Sequence, residues 1–596
     1  MAADSFRKDE VIKTQGFGPV MRRLFVYLTR YPFQILLVLV AMLLSVGITI
    51  VNPLLIEEAV DSYAVVGDFG GLLRLGLFAL VINLIYILLL QVRMYTMARV
   101  CNQILMDLRQ ELYEHVQALS LSYFNNHPTG KILSRIIKDV NSLKEIFDRS
   151  ITSLVPQALT LVGVMGIMFW KNALLALATL CCLPLMAIAV VIISRLGHRE
   201  WTSFRKKESN LNAYIHEDIA GIRVVQSLCA EEETCEELRR LADDHASTFI
   251  RACRISDHYG PAIEISWGIS AAMLYLVSIL FRDRSDITIG LLIAFGTYIN
   301  MFWEPIISLS NFVNRLTANI SAAERVFDLL DAPIQIADAP YAKDIDHLEG
   351  KVEFSHVSFT YDIGTEAETK VLSDVSFTVN PGETIALVGP TGAGKTTIVS
   401  LISRFFDIQE GQILLDDRDL QTITLHSLRS HMGVMTQENF IFHGTVRENI
   451  AYGKENATDE EIIAAAKAVG LHDLILQMEN GYDTKLKELG AGLSIGQRQL
   501  IAFARTLVSQ PQILILDEAT SSIDTHTELM VQKGIAALLK DRTSFVIAHR
   551  LSTIQNADRI FVVDDGGILE AGSPAELMAK KGLYYQLYTA QFAEIA

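Results

Sequence analysis

The chain of 596 residues is longer than one hydrophobic core supports and predicts several domains. Half of it is hydrophobic and its mean hydropathy is +0.30, which argues against an ordinary soluble protein and suits a membrane one. A formal charge of -17 and a pI near 5.3 argue against a nucleic-acid binder, which would carry a basic domain.

Residues 1–31 carry Arg7, Lys8, Lys13, Arg22, Arg23 and Arg30. Leu24, Tyr27, Leu28 and Tyr31 share one helical face, which predicts a short helix lying on the cytoplasmic membrane surface. Apolar runs follow near Phe33–Ile56, Leu72–Val92, Ile151–Trp170, Leu174–Ile193, Ile263–Phe281 and Ile289–Leu309. Each is about the ~20 residues that a bilayer core requires, so six membrane spans are expected. Pro305 is expected to kink the last of them.

Orientation is read from Lys and Arg. Arg93, Arg99, Arg109, Lys131, Arg135, Lys138, Lys144 and Arg149 lie between the second and third spans. A similar basic set, from Arg195 to Arg254, lies between the fourth and fifth. Both segments belong inside, while the loop after the first span holds Glu57, Glu58, Asp61 and Asp68. The two inner segments are helical in period and read as extensions projecting into the cytosol. They reverse at Tyr123–Gly130 and near Glu208–Gly221. Among polar residues inside spans, Glu264 and Glu304 are pathway candidates, with Asn83, Gln91, Gln157, Tyr298 and Asn300 as milder cases. The six cysteines lack paired C-x-x-C spacing and read as reduced, structural thiols.

Residues 329–350, with Pro333 and Pro340, read as a linker, and residues 351–596 as a soluble α/β domain with strand–helix alternation. The spans then occupy residues 32–328. Val352–Tyr361 alternates apolar and polar and predicts a strand ending in an aromatic that could stack on adenine. The apolar strand Ile385–Val388 leads into Gly389, Thr391, Gly392, Gly394, Lys395 and Thr396, which fit G-x-x-x-x-G-K-[ST], and a helical run starts at Ile398. Glycines let the loop aim its N–H groups at a phosphate, Lys395 can reach the terminal phosphates, and Thr396 can ligate Mg²⁺; Thr397 follows on the same helix start. Ile513–Asp517 is an apolar strand ending in Asp517 and Glu518, at a sheet edge where ligands bind. Asp517 suits Mg²⁺ through water, and Glu518 suits polarising an attacking water. Strand Ser544–Ala548 ends at His549, which could sense a γ-phosphate. Leu493-Ser494-Ile495-Gly496-Gln497 precedes the helical run Arg498–Val508. It reads equally as a capping box and as a helix start that binds phosphate.

In this order Tyr361, the phosphate loop, Gln437, LSIGQ, ILILDE, Ser521–Asp524 and His549 resemble the ATP-binding cassette (ABC) ATPase domain. The preceding spans resemble a six-span exporter half. The resemblance implies a membrane all-α bundle joined to an α/β P-loop ATPase that uses ATP and Mg²⁺ and exports amphipathic small molecules, of the multidrug or lipid type. It assigns Tyr361 to the adenine, Gln437 to Mg²⁺ and the coupling helices, and Glu488 to the exporter X-loop. It assigns Ser494, Gly496 and Gln497 to the signature that caps a second nucleotide, and Glu518 and His549 to catalysis. Coupling helices are implied at Phe124–Gly130 and Glu217–Val224. One set of motifs implies a half-transporter in a plasma membrane, with the ATPase domain and both termini cytoplasmic, that pairs with a second such chain. The family signature is LSGGQ, and Ile495 departs from it. This resembles one subunit of heterodimeric exporters with one active and one degenerate site. A homodimer, an importer and an ATP-gated regulator are the alternatives.

Overall fold

The computed structural model describes residues 17–149, 152, 154–281, 287–363, 368–436, 439–487, 490–517, 525–548 and 554–592. Gln437, Glu488, Glu518, Ser521–Asp524 and His549 lie outside the described residues, as do the basic residues before Phe17 and the side chain of Glu304. Two units form: residues 1–117 with 129–332, and residues 118–128 with 333–596.

The first unit is helical. Its elements are α1 (Phe17–Thr29), α2 (Pro32–Glu58) and α3 (Phe69–Ala118), whose 50 residues span about 75 Å at 1.5 Å each. After α4 (Leu121–Asn126), which falls in the second unit, come α5 (Thr129–Ser134), α6 (Val140–Arg149), α7 (Val155–Lys171) and α8 (Ala173–Leu180). Then follow α9 (Leu183–Ala220), α10 (Ile222–Ser227), α11 (Glu231–Ser256), α12 (Tyr259–Leu280) and α13 (Ile289–Leu330). Among the described residues four helical stretches are long and apolar enough to cross a membrane, and Val155–Lys171 and Ile289–Phe302 are shorter apolar helices. These six coincide with the expected runs. Pro305 sits inside α13, and the helix continues through it to Leu330.

Polar contacts fix the first and last spans to each other. Asp61 accepts from the Thr288 hydroxyl and from Gly290 N–H at 2.8 Å. A Cβ at Gly290 would meet the Glu57 carbonyl at 2.5 Å, so only glycine permits this approach. Further in, the buried Tyr298 hydroxyl donates to Ile50 O at 2.9 Å. Between the first and second spans, Asn52 and Asn83 bond each other at 3.2 and 3.3 Å.

Three expectations change. The face of α1 read as membrane-bound packs on protein instead: Leu24, Tyr27 and Leu28 are buried, and Tyr27 and Tyr31 donate to Glu111 and Asp107 of α3 at 3.0 and 2.6 Å. Phe25 and Val26, on the other side, are the exposed apolar residues of this helix. Periodicity finds an apolar face but not what covers it. The second reversal also lies later than expected. α9 runs unbroken to Ala220, and the turn spans Gly221–Ala230, because nothing in Glu208–Ala220 interrupts a helix. Finally, Arg93, read as the start of an inner segment, is not clear of the first span. It donates to Ser45 Oγ at 3.4 Å, midway along α2. A charge there costs roughly 2.5–3.5 kcal/mol on insertion scales.

Among the described residues the second unit holds three sheets. β1 (Val352–Tyr361), β2 (Thr369–Val379), β4 (Glu410–Leu415) and β5 (Arg418–Asp419) form an antiparallel sheet in the order β2-β1-β4-β5. β3 (Thr384–Val388), β6 (Met432–Met435), β9 (Ile513–Asp517), β10 (Thr543–Ile547), β11 (Arg559–Asp564) and β12 (Gly567–Gly572) form a second sheet, β12-β11-β3-β10-β9-β6, parallel except at β12. β7 (Gly444–Thr445) and β8 (Lys485–Leu486) pair alone. Ile385, Leu387, Ile513, Ile515, Phe545, Ile547 and Phe561 are buried between the layers, as parallel strands covered on both faces must be.

Candidate functional site

The parallel strands bring the motifs to one edge. In register, Ile547 of β10 lies opposite both Leu387 of β3 and Asp517 of β9, and Leu516 lies opposite Met435 of β6. The chain therefore leaves β3, β6, β9 and β10 on the same side, at Gly389, Thr436, Asp517 and Ala548. An open α/β sheet binds its ligand at this carboxyl edge.

The loop after β3 needs its glycines for different reasons. Gly389 has φ +155°, and a Cβ there would lie 2.0 Å from Val563 O of β11. Gly392 at φ +87° has open space around it, and Gly394 at φ +104° is the N-cap of α14 (Lys395–Ile402). This helix begins three residues earlier than Ile398, because a glycine in the left-handed region starts it directly. Its first N–H groups carry the positive end of the helix dipole. Lys395 Nζ donates to the carbonyls of Gly389 and Pro390, both at 2.7 Å, and its side chain is largely buried. Burial lowers the Lys395 pKa from the usual lysine value, and the Asp517 carboxylate opposes that shift. A curled loop, a helix N-terminus and a half-desolvated ammonium make a cradle suited to an anion. Thr396 and Thr397 occupy the first turn of α14.

Tyr361 ends β1 beside this loop. Its hydroxyl lies 3.2 Å from Thr397 Oγ1, and its ring meets Phe359 and Phe406 edge-on at 4.7 and 5.1 Å. Burial raises its pKa. The next residue, Asp362, is left-handed at φ +50° and accepts from Asn126 Nδ2 of α4 at 3.0 Å. Ser120, before α4, donates to Gln335 at 2.8 Å. The tip of the first hairpin thus joins the unit that holds the phosphate loop, next to its aromatic.

The LSIGQ helix runs from Ile495 to Val508, three residues earlier than expected, and its capping box is formed. Ser494 Oγ accepts from Gln497 N–H at 3.2 Å, and Gln497 Oε1 accepts from Ser494 N–H at 2.9 Å. Gly496 is buried, and Ile495 is 43 % exposed on the first turn. Arg505 of this helix was not singled out from sequence. It donates to Asn449 O, Asn449 Oδ1 and Phe440 O at 2.8, 2.9 and 2.8 Å, and burial lowers its pKa. It ties the helix to the segment after position 437. The available signal was one cation in the run Ala502–Val508.

Comparison with known proteins agrees with this geometry. Residues 35–306 match the family described as ABC transporter transmembrane region, and residues 372–521 match the family described as ABC transporter. The chain belongs to the ABC transporter family. The transporter is 38 % identical over 594 residues to the uncharacterized ABC transporter ATP-binding protein YknV of Bacillus subtilis, covering 99 % of this chain and 97 % of that protein. It is 38 % identical over 498 residues to an ATP-dependent lipid A-core flippase of Syntrophus aciditrophicus, covering 84 % and 82 %. Its fold is similar to a bacterial Atm1-family ABC exporter solved with ATP bound, with TM-score 0.76, 28 % identity and coverage of 97 % and 100 %. It is a membrane-spanning exporter half with an ATP-binding, ATP-hydrolysing domain, and exporters of this kind act as dimers.

Proposed function

We propose that this transporter moves amphipathic molecules, of the multidrug or lipid type, out of the cytoplasm as one chain of a heterodimer. Residues 1–31 would be the N-terminal cytoplasmic elbow segment, 32–328 the membrane domain, 329–350 the linker and 351–596 the ATPase domain, with that domain and both termini cytoplasmic. The similarity to a lipid A-core flippase supports a lipid-like substrate.

At the nucleotide, Tyr361 would stack on adenine, and Gly389, Thr391, Gly392, Gly394, Lys395, Thr396 and Thr397 would hold the phosphates. Mg²⁺ would be held by Thr396, Gln437 and Asp517 and would neutralise phosphate charge. Glu518 would polarise the attacking water, His549 would contact the γ-phosphate, and Ser494, Gly496 and Gln497 would close over the partner's nucleotide. Lys395 would exchange its two loop carbonyls for phosphate oxygens, which restores the charge that burial disfavours.

The observation that carries the heterodimer is Ile495. Its β-branched side chain projects from the turn where the family has a glycine, and it crowds the close approach of a phosphate. This chain would then give its phosphate loop, Asp517 and Glu518 to the active site and cap a second nucleotide that is hydrolysed slowly. A homodimer is the second reading, favoured by the capping box forming intact around Ile495. Pull-down from native membrane tests the choice: a second half-transporter is expected, and full, symmetric turnover by this chain alone would refute the heterodimer. Transport into inverted vesicles, with Glu518→Gln as control, separates export from uptake and from gating.

A further inference from the structure

Arg93 meets the middle of the first expected span, and among the described residues it has no counter-charge there. Its guanidinium reaches Ser45, thirteen residues beyond Pro32 in α2. At 1.5 Å per residue that is about 20 Å from the end of α2 read above as cytoplasmic, within a hydrocarbon layer about 30 Å thick. Helical side chains lean toward the N-terminus, so Arg93 on α3 is aimed away from the cytoplasmic surface and does not snorkel to it. Among the described residues no carboxylate pairs with it. Its Nε is buried and has no acceptor, and its one hydrogen bond is the long contact to Ser45. Polar groups further along the same two helices are already engaged: Thr49 donates to Ser45 O, and Asn52 and Asn83 hold each other.

A half-buried cation without an acidic partner is retained at a cost unless something anionic visits it. A guanidinium presents a fixed fork of donors that matches a phosphate or carboxylate. The apolar spanning window of α3 has no buried residue, so its own chain does not fill the space alongside. Arg93 is only partly covered where it meets α2, so part of its fork stays reachable.

We propose that Arg93 recognises the oxyanion head group of an amphipathic substrate, and that this transporter favours anionic over cationic amphiphiles. The assignment rests on the exporter reading above. It assigns the substrate a negatively charged head beside an apolar body.

The test uses the full transporter, with its partner chain where one is found, reconstituted in liposomes. Stimulation of ATP hydrolysis is titrated with tetradecyl phosphate and with tetradecyltrimethylammonium, which share a tail and differ in charge. Arg93→Gln is expected to raise the half-stimulating concentration of the phosphate by about tenfold or more, as loss of a charge-assisted hydrogen bond implies, while the cation shifts by less than about twofold. Arg93→Lys keeps a point charge and loses the fork, so it should shift only the phosphate, by about threefold to tenfold. It also decides the matter if Arg93→Gln fails to assemble, since an unchanged phosphate-to-cation ratio overturns the assignment. Equal shifts for both probes overturn it too, and point to a packing role or to pairing with an acid of the partner. A wild type that responds to the cation and not to the phosphate overturns it and leaves the exporter reading standing. A wild type that responds to neither sinks both.

Discussion

Arg23 Nη1 and Nη2 donate to the two carboxylate oxygens of Asp331 at 2.6 and 2.7 Å, and the same guanidinium lies 4.4 Å from the ring centre of Phe327. The pair fastens α1 to the last residues of the final span, where the chain departs for the ATPase domain. Both side chains are over a third exposed, so the ion pair itself is worth only about 0.2–1 kcal/mol. Stacking on the buried Phe327 adds about 0.5–1 kcal/mol. A double-mutant cycle of Arg23→Ala and Asp331→Ala, read by thermal melting of the full chain, should give a coupling of about 0.5–1 kcal/mol. In 1 M salt it should shrink, because screening there reaches only about 3 Å. Arg23→Lys should recover little of it, since lysine has neither the fork nor the plane. A coupling of zero, or one indifferent to salt, contradicts this account.

The two loop glycines Gly389 and Gly392 should not respond alike to alanine. At Gly392 only the positive φ is penalised, about 1–2 kcal/mol, since no atom lies within 4 Å of the new Cβ. At Gly389 the Cβ must also displace the Val563 carbonyl from 2.0 Å, and that oxygen is backbone of a buried strand. Overpacking adds about 1–3 kcal/mol more. Denaturation of the ATPase domain, followed by fluorescence in urea, should therefore show a clearly larger loss for Gly389→Ala. The reverse order would mean that the loop relaxes away from β11.

How much of this could be read from the chain alone depends on the range of the interaction. Spans declare themselves by composition, and the phosphate loop by local spacing, so fold class and the strand–loop–helix at Gly389–Lys395 were legible. The capping box at Ser494–Gln497 is also local. What was not legible was partnership across long separations. Periodicity gave Tyr27 and Tyr31 to one face, but their acceptors Glu111 and Asp107 lie on another helix. Arg93 read as the start of an inner segment, because a rule that counts charges outside apolar runs cannot see its contact with Ser45 on another helix. Arg505 was hidden because its acceptors, Asn449 and Phe440, are more than fifty positions earlier. The left-handed Asp362 joined to Asn126 has no sequence signature.

Acid should loosen the ATPase domain through its helix starts. Thr445, Thr458 and Ser573 each donate their backbone N–H to a glutamate three residues on, Glu448, Glu461 and Glu576, at 2.7, 3.0 and 2.9 Å. All three carboxyls are held below their usual value. The cap N–H is the largest cause at Glu448 and Glu576, and the Lys454 ammonium is the largest at Glu461. A carboxyl whose folded pKa is depressed contributes stability that is complete above its ordinary 4.5 and is lost as pH falls through the lower folded value. Replacing all three by Gln keeps each box, because Gln accepts the same N–H, and removes the titration. The melting temperature of the triple variant should fall less steeply than wild type below pH 4.5. Parallel acid limbs for the two proteins would assign the slope to other carboxylates.

Ile495→Gly is the substitution that distinguishes a degenerate signature from a tolerated one. Its structural cost is small: glycine loses about 1 kcal/mol relative to alanine in a helix interior and less on an exposed first turn held by a capping box. The box does not use the Ile495 side chain, because its donors and acceptors are Ser494 and Gln497. Any change in turnover therefore reports access of phosphate to the helix start rather than refolding. If the nucleotide capped by this chain is hydrolysed slowly because Ile495 crowds it, glycine should bring a second site into use. Turnover per assembled dimer should then rise about twofold, provided the partner supplies its own catalytic acid, because positioning is what the crowded site lacks. Where the partner's acid is missing, nucleotide trapped at that site should instead exchange faster while turnover stays put. Stoichiometry of trapped nucleotide in the vanadate-inhibited complex, measured beside steady-state ATP hydrolysis, resolves the two. A variant unchanged in both measurements would show that the β-branched residue is accommodated, and the case for an asymmetric pair would lose its support.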